Sequence, residues 1–130
     1  MADTHYASLW TFTAGEDLDD FAPGRGSLFK AVALDDGKLA NNGVEADGIL
    51  VCGGREGEDV TIGYAGEIRF IAGGPVGAGK RLTVVSSGYI AEAATGDYVV
   101  GRCLGTAVSS GSVGTGMFNF PIVAYMGNSR

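Results

Sequence analysis

Residues 59–90 read DVTIGYAGEIRFIAGGPVGAGKRLTVVSSGYI, and this stretch decides the fold. Apolar residues alternate with other residues three times along it: at 60, 62 and 64, then at 68, 70 and 72, then at 82 and 84. Alternation of β-branched and aromatic residues between glycine-bearing breaks is typical of half-buried antiparallel strands. The stretch therefore predicts three or four short strands that share one buried face and are joined by tight turns, the first at residues 65–66.

The same stretch contains a motif that resembles a nucleotide-binding loop. Residues 74–80, GPVGAGK, match the G-x-x-x-x-G-K pattern of a phosphate-binding P-loop. That loop needs a Ser or Thr after the lysine to hold magnesium, and a helix whose N-terminus faces the phosphates. Arg81 occupies the hydroxyl position, and residues 82–88 are β-rich and end in glycine. The sequence predicts a glycine-rich connection between strands here, and no nucleotide site.

Composition extends the β interpretation to the whole chain. The 130 residues are 45% hydrophobic, which is enough for one domain with its own core. Twenty-three glycines against three prolines, without a collagen-like period, indicate many turns and hence many short strands. No window has the apolar stripe of an amphipathic helix. We expect an all-β fold, a compact small β-barrel or sandwich of short antiparallel strands, with an extended N-terminal arm.

The chain divides into an N-terminal arm, residues 1–26, and a β-domain, residues 27–130. In the arm, large apolar side chains are interleaved with acidic ones, and a Pro-Gly pair at residues 23–24 closes it. The large side chains are Leu9, Trp10, Phe12 and Phe21. Two interpretations are open: an edge strand of the chain's own barrel, or an arm that adds a strand to another chain's sheet. Aromatic anchors suit the second role because they carry much of the energy at interfaces.

The β-domain alternates predicted strands with loops. Strands are expected at 27–34, 48–52, 98–108 and 117–125, and loops at 38–47, 53–59, 91–97 and 109–116. Pro121 removes a backbone donor from the last strand, which favours an edge position for it. Cys52 and Cys103 each lie in an apolar strand-like run, which predicts two buried free thiols. A disulfide between them stays open at this stage.

The net charge of the chain and the composition of its segments limit the classes of partner that it can bind. The net charge is −6: residues 16–59 carry eleven acidic and four basic side chains, whereas residues 60–130 carry three acidic and five basic ones. A chain this acidic is a poor binder of nucleic-acid backbone. No apolar run approaches the roughly 20 residues that span a bilayer, and the N-terminus has no secretory pattern. We expect no nucleic-acid or membrane partner and synthesis in a host cytoplasm.

Candidate catalytic groups are sparse. The single histidine, His5, lies near the N-terminus, so a nucleophile–histidine pair is not expected. The paired acids at residues 19–20 and 35–36 resemble solvated turns more than catalytic carboxylates. We expect no catalytic residue, no cofactor and no metal site; the chain is not predicted to be an enzyme.

Several segments together resemble small capsid decoration proteins of tailed phages, also called cement or head-stabilising proteins. The segments are 57–68 (GEDVTIGYAGEI), 78–84, 87–90 (SGYI), 96–104 (GDYVVGRCL) and 114–120 (GTGMFNF), and the likeness covers about residues 45–125. The resemblance implies a compact β-rich module, usually a trimer, on the outside of an expanded capsid at threefold and quasi-threefold positions. There it clamps neighbouring major capsid subunits against the pressure of packaged DNA, often with an N-terminal arm on the shell.

The resemblance leads to expectations for particular residues. Leu9, Trp10, Phe12 and Phe21 are expected to contact the major capsid protein or a neighbouring protomer. Phe118, Phe120 or their neighbours are expected near a homotrimer contact, because exposed aromatics on an edge strand need cover. The alternative is a non-enzymatic virion-surface module, a fibre base or a glycan-binding β-domain. In the glycan-binding case Tyr64, Tyr89 or Tyr98 would stack on sugars.

Overall fold

The computed structural model describes residues 7–19 and 26–120. Within them the chain forms nine strands and one short 3-10 helix, Ser86–Gly88. The strands are β1 (Ser8–Thr13), β2 (Ala31–Ala33), β3 (Lys38–Leu39), β4 (Gly48–Cys52), β5 (Asp59–Ile71), β6 (Arg81–Val84), β7 (Ile90–Glu92), β8 (Gly101–Leu104) and β9 (Val113–Asn119). The expected all-β class is confirmed. Among the described residues, no helix is long and apolar enough to cross a membrane.

Strand β5 is the centre of the sheet. Its first half pairs with β1 and with β4, since Gly63 lies opposite both Leu9 and Ile49. Its second half, from Ala65 to Ile71, pairs with β9. The expected turn at residues 65–66 is wrong, because β5 continues through them for 13 residues. Glycine permits this: Gly66 has φ +111°, a value that side-chain-bearing residues rarely adopt.

A bulge in β5 explains how one strand serves two cores. Leu9 pairs with Gly63 and Ser8 with Ala65, so Tyr64 is an extra residue on the β5 side. An extra residue moves every later side chain to the opposite face of the strand. Val60 and Ile62 accordingly belong to one buried cluster, and Ile68 and Phe70 to another. The sequence pattern had placed all four on one side.

The buried side chains form a larger and a smaller cluster, and Phe12 of β1 packs against the smaller one. The larger draws side chains from β2 and β4 to β9 and from their connections, and it contains Phe70, Leu82, Ile90, Phe118 and Phe120. The smaller contains Ala14, Leu18, Val32, Leu50, Val60 and Ile62. Each fully buried side chain of this size contributes roughly 1.5–3 kcal/mol relative to exposure. The two clusters together hold the curved sheet in shape.

The sheet curls so that its two ends approach each other. Its strand order is β3-β2-β4-β5-β9-β8-β6-β7, with β1 added beside β5. Past β3, the Ala40 carbonyl accepts a hydrogen bond from the Gly88 amide (2.7 Å), and Asn41 Oδ1 accepts one from the Ser87 amide (3.1 Å). Ser87 and Gly88 are separated from β7 only by Tyr89. These bonds tie the ends of the sheet into a half-barrel, as the expected small barrel requires.

The observed strand boundaries differ from the predicted ones at several places. The segment that resembles a P-loop connects β5 to β6, and Arg81 begins a strand, so the predicted connection is confirmed. Of the long strand expected at 98–108, only Gly101–Leu104 forms, and residues 113–116, expected in a loop, belong to β9. Pairing of Val113 with Ile71 draws this glycine-rich segment into the sheet. Local composition favours a loop there, and cross-strand hydrogen bonds override it.

The reasoning that placed Phe118 and Phe120 at an exposed edge is wrong. Strand β9 lies between β5 and β8, so it is internal to the sheet. Both rings are buried, at 1% and 2% exposure, and they stack on each other with centroids 5.6 Å apart. Pro121, which suggested the edge, lies outside the described residues. A trimer contact on this strand stays a prediction, and it would use exposed neighbours such as Met117.

The two cysteines differ in their exposure to solvent. Cys103 is buried and Cys52 is exposed, and both are free thiols. The expectation of two buried thiols is therefore wrong for Cys52. In β4, Leu50 pairs with Ile62 and Cys52 with Thr61, so Val51 is bulged out of register. The buried part of β4 therefore ends at Leu50, two residues before the apolar run ends in sequence.

Candidate functional site

The N-terminal strand presents two large apolar side chains to solvent. Strand β1 pairs with β5 from Ser8 to Thr13, so these residues are a strand of the chain's own sheet. Leu9 is 56% exposed and Trp10 is 53% exposed, and they lie on opposite faces of the strand because successive side chains alternate. Phe12 packs partly against the smaller cluster. Phe21 lies outside the described residues. The partner contacts expected of these four residues stay a prediction.

An apolar groove begins at Leu9. Its apolar lining comes from Ala7, Leu9, Phe29, Val51 and Ile68, and Glu67 and Arg69 also line it. Gly63 adjoins the groove: a Cβ added there would come within 3.0 Å of Ile68 Cδ1 and 3.7 Å of Val51 Cγ1. The missing side chain at Gly63 therefore keeps this space open.

Phe29 is held at the groove in a strained conformation. Its φ is +66°, in the left-handed region that costs a side-chain-bearing residue about 1–3 kcal/mol. Two backbone hydrogen bonds hold it: its amide donates to the Leu50 carbonyl at 2.9 Å, and its carbonyl accepts from the Ile71 amide at 3.1 Å. The ring packs against the larger cluster. Strain of this kind is often found at binding sites.

The three tyrosines that would stack on sugars in the glycan-binding alternative are each partly buried. Tyr64 and Tyr98 pack against the larger cluster. Lys30 Nζ lies 4.5 Å from the centroid of the Tyr89 ring, a cation–π contact that covers one face of it. These contacts occupy part of each ring, and sugar stacking by the remainder stays a prediction.

The acidic pair at residues 35–36, considered for chemistry, lies in an exposed turn, and acidic side chains elsewhere accept hydrogen bonds from backbone amides. Asp35 and Asp36 are exposed in the turn before β3, and Asp36 Oδ1 accepts a hydrogen bond from the Lys38 amide at 3.0 Å. Asp47 is buried, and its Oδ2 accepts one from the Leu34 amide at 2.7 Å. No group of three or more His, Cys, Asp or Glu side chains among residues 7–19 and 26–120 could hold a metal ion.

A second exposed surface, on strands β6, β8 and β9, was missed by sequence reasoning. Arg81 lies opposite Arg102, and Arg102 lies opposite Met117, so the three side chains form one row across the outer face. Met117 is 49% exposed and nearby Val99 is 45% exposed. The only signal in sequence was the small excess of basic residues after residue 60, because the row exists only through strand register.

Comparison with known proteins identifies the fold. No family model matches the chain, and no curated protein matches it. Among solved structures, the crystal structure of the head fiber gp8.5 N base of bacteriophage phi29 superposes with a TM-score of 0.66 at 16% sequence identity. The match covers 86% of this chain and 93% of that one. The chain therefore has the same fold as the N base of a phage head fiber.

Proposed function

We propose that this chain is a structural, non-catalytic protein of a tailed-phage virion, located on the outer surface of the head. The single observation that supports this most is the match to a phage head-fiber base over nearly the full length of both chains. The resemblance of residues 45–125 to decoration proteins rests on turn and strand segments, and it points to the same surface. Two different kinds of likeness thus support one location.

The surface around Leu9 and Trp10 is the proposed contact with the major capsid protein. Strand β1 pairs with β5 along one edge, and its other edge pairs with no strand in the described part of the chain. A capsid segment can add a strand at that edge, with side chains entering the adjoining groove. Burying Leu9 and Trp10 would contribute about 1.5–3 kcal/mol each, or more for the larger indole. Trp is also among the residues that most often dominate binding energy.

A protein on the outside of the head could act in two ways, as a cement protein or as the base of a fibre. A cement protein bridges neighbouring subunits, as a homotrimer at threefold and quasi-threefold positions, and thereby stabilises the shell. A fibre base needs only to anchor what extends from the head. The sequence resemblance favours cementing, and the structural match favours a base.

The test mixes the purified protein with undecorated heads of its phage and images the product by cryo-EM. We expect density at regular positions on the outer surface. The double variant Leu9→Ala/Trp10→Ala should lose about 100-fold or more in affinity, equivalent to about 3 kcal/mol. Val113→Ala is the matched control, because Val113 is also exposed (40%) but lies away from β1. Unchanged binding of the double variant would refute the proposed contact.

The thermal stability of the heads separates the two forms. Cementing raises the temperature at which heads release their DNA, whereas a fibre base leaves it unchanged. If the protein fails to bind heads and instead binds sugars saturably on a glycan array, the virion-head proposal is wrong and the carbohydrate-binding alternative is favoured.

A further inference from the structure

The outer face of β6, β8 and β9 combines positive charge with exposed apolar side chains. Arg81, Arg102 and Met117 lie directly opposite one another on three neighbouring strands, with Glu67 next in the row beyond Met117. Residues directly opposite in an antiparallel sheet share a face. Val99 and Met117 line one shallow depression with both arginines. Arg and Met are enriched in the buried centres of protein interfaces.

The positions of the two arginines lower the stability of the folded sheet. Like charges directly opposite on neighbouring strands destabilise a sheet. Arg102 Nε donates a hydrogen bond to the Gly79 carbonyl at 3.0 Å, which is a neutral acceptor and leaves the positive charge uncompensated there. The chain has a net charge of −6, and within this row Met117 separates Glu67 from Arg102. An acidic partner surface would remove the repulsion.

The chain carries a patch that matches this face in chemistry. Val44 is 42% exposed, and the depressions around it are also lined by Asp35, Glu45 and Asp97. An apolar centre with acidic neighbours thus faces solvent on the same molecule. The patch lies beside the basic face, because Gly43 is packed against Tyr98, the residue before Val99.

We propose that the basic face of one copy binds the acidic patch around Val44 of a second copy. Contact of the basic face with itself is disfavoured, because it would bring four arginine side chains together. Because the two patches lie side by side, a twofold dimer can make this contact twice, and a heterologous contact repeats into a closed ring when the rotation between copies permits closure. The inference does not depend on the proposed virion role, since it concerns the purified protein alone.

Sedimentation equilibrium at increasing protein concentration tests the proposal. We expect reversible association that weakens as NaCl is raised from about 0.05 to about 0.5 M, because salt screens exposed charges. Arg102→Glu should weaken association by about tenfold or more at low salt. Arg55→Glu is the matched control: it makes the same change in net charge at an exposed arginine in the β4–β5 connection, and it should associate like the wild type.

Mixing variants tests the pairing of the two patches. Val44→Lys should weaken association alone, and a mixture of Val44→Lys with Arg102→Glu should associate more tightly than either variant by itself. Circular dichroism confirms that each exposed-site variant is folded. A wild-type protein that stays monomeric throughout, or an Arg102→Glu variant that associates as tightly as Arg55→Glu, overturns the proposal. A mixture no tighter than its components overturns the assignment of the Val44 patch as the partner surface.

Discussion

Phe118→Ala is the substitution that most directly tests the packing of the barrel. The Phe118 ring is 1% exposed and lies edge-on to Phe70, with centroids 5.9 Å apart, and it stacks on Phe120. Truncating a buried phenylalanine to alanine costs about 3–5 kcal/mol, from lost burial and the cavity left behind. Domains of this kind have about 5–15 kcal/mol of unfolding free energy in total. We therefore expect the variant to lose about a fifth of its stability or more.

The cavity left by Phe118→Ala should not collapse easily. A Cβ at Gly101 would lie 2.6 Å from Phe118 Cδ1, and one at Gly116 would lie 2.7 Å from Phe118 Cε2. The ring thus fills the space that these two glycines leave on neighbouring positions of β8 and β9. Glycines have no side chains that could move into the vacancy, so we expect a value in the upper half of the range.

Urea unfolding followed by circular dichroism at micromolar protein concentration measures this loss. Thermal unfolding gives a second measure: with a loss of about 4–5 kcal/mol and about 4 °C per kcal/mol for a domain of this size, the melting temperature should fall by roughly 16–20 °C. Met117→Ala is the control, because Met117 neighbours Phe118 on β9 but is 49% exposed. It should cost less than about 1 kcal/mol at concentrations where copies do not associate.

One result would refute the packing described here. If Phe118→Ala cost less than about 1 kcal/mol while Met117→Ala cost several, the ring would have to face outward. That result would mean that the register of β9 differs by one residue from the one described, so that Phe118 and Met117 exchange faces.

Two further predictions follow, one from close contacts at a glycine and one from the different exposure of the two cysteines. Gly114→Ala should destabilise the protein by about 1–3 kcal/mol, because the new Cβ would lie 2.6 Å from Val108 Cγ2 and 2.7 Å from Phe70 Cζ. Gly74→Ala is the control, since a Cβ there would have nothing within 4 Å. It should be nearly neutral when both variants are compared by thermal unfolding. A thiol reagent should label Cys52 rapidly in the native protein and Cys103 only after unfolding, since one is exposed and the other buried. Labelling of both at equal rates in the native state, or of neither, would contradict this difference.

The P-loop-like segment shows where local sequence was sufficient. Arg81 in place of a hydroxyl residue, followed by β-rich residues, predicted a connection that leads into a strand, and β6 begins at Arg81. Whether an element is helix or strand depends largely on neighbours in sequence, through side-chain sterics and the spacing of apolar residues. Such properties can be interpreted without knowing which strands pair.

The bulge at Tyr64 shows where local sequence was insufficient. The apolar alternation at 60–64 and 68–72 is continuous in period, and it predicted a single buried face. The extra residue is defined only by its partner, because it exists where Ser8 and Leu9 pair with residues two apart in β5. No property of residues 59–71 by themselves reveals that partner. The same holds for Cys52, whose exposure follows from a bulge against β5.

The exposed surfaces depend on register in the same way. Leu9 and Trp10 could be recognised as large apolar residues in an acidic segment, but their exposure follows from the pairing of β1 with β5. The row of Arg81, Arg102 and Met117 could not be found at all, because these residues are distant in sequence and meet only across three strands. A shift of one residue in any of these strands would turn the side chains inward.

By itself the sequence determined the all-β class, the many turns, the acidic first half and the absence of a complete nucleotide-binding motif, because each of these depends on composition or on neighbours in the chain. Only the tertiary structure decided that β5 is one bulged strand between two cores, that Phe118 and Phe120 are interior, and which side chains line the outer faces. Strand order and register arise from hydrogen bonds and packing between segments that are tens of residues apart, such as Leu9 with Gly63 and Ile71 with Val113. Those long-range pairings select the buried face of each strand, and local propensity does not encode them.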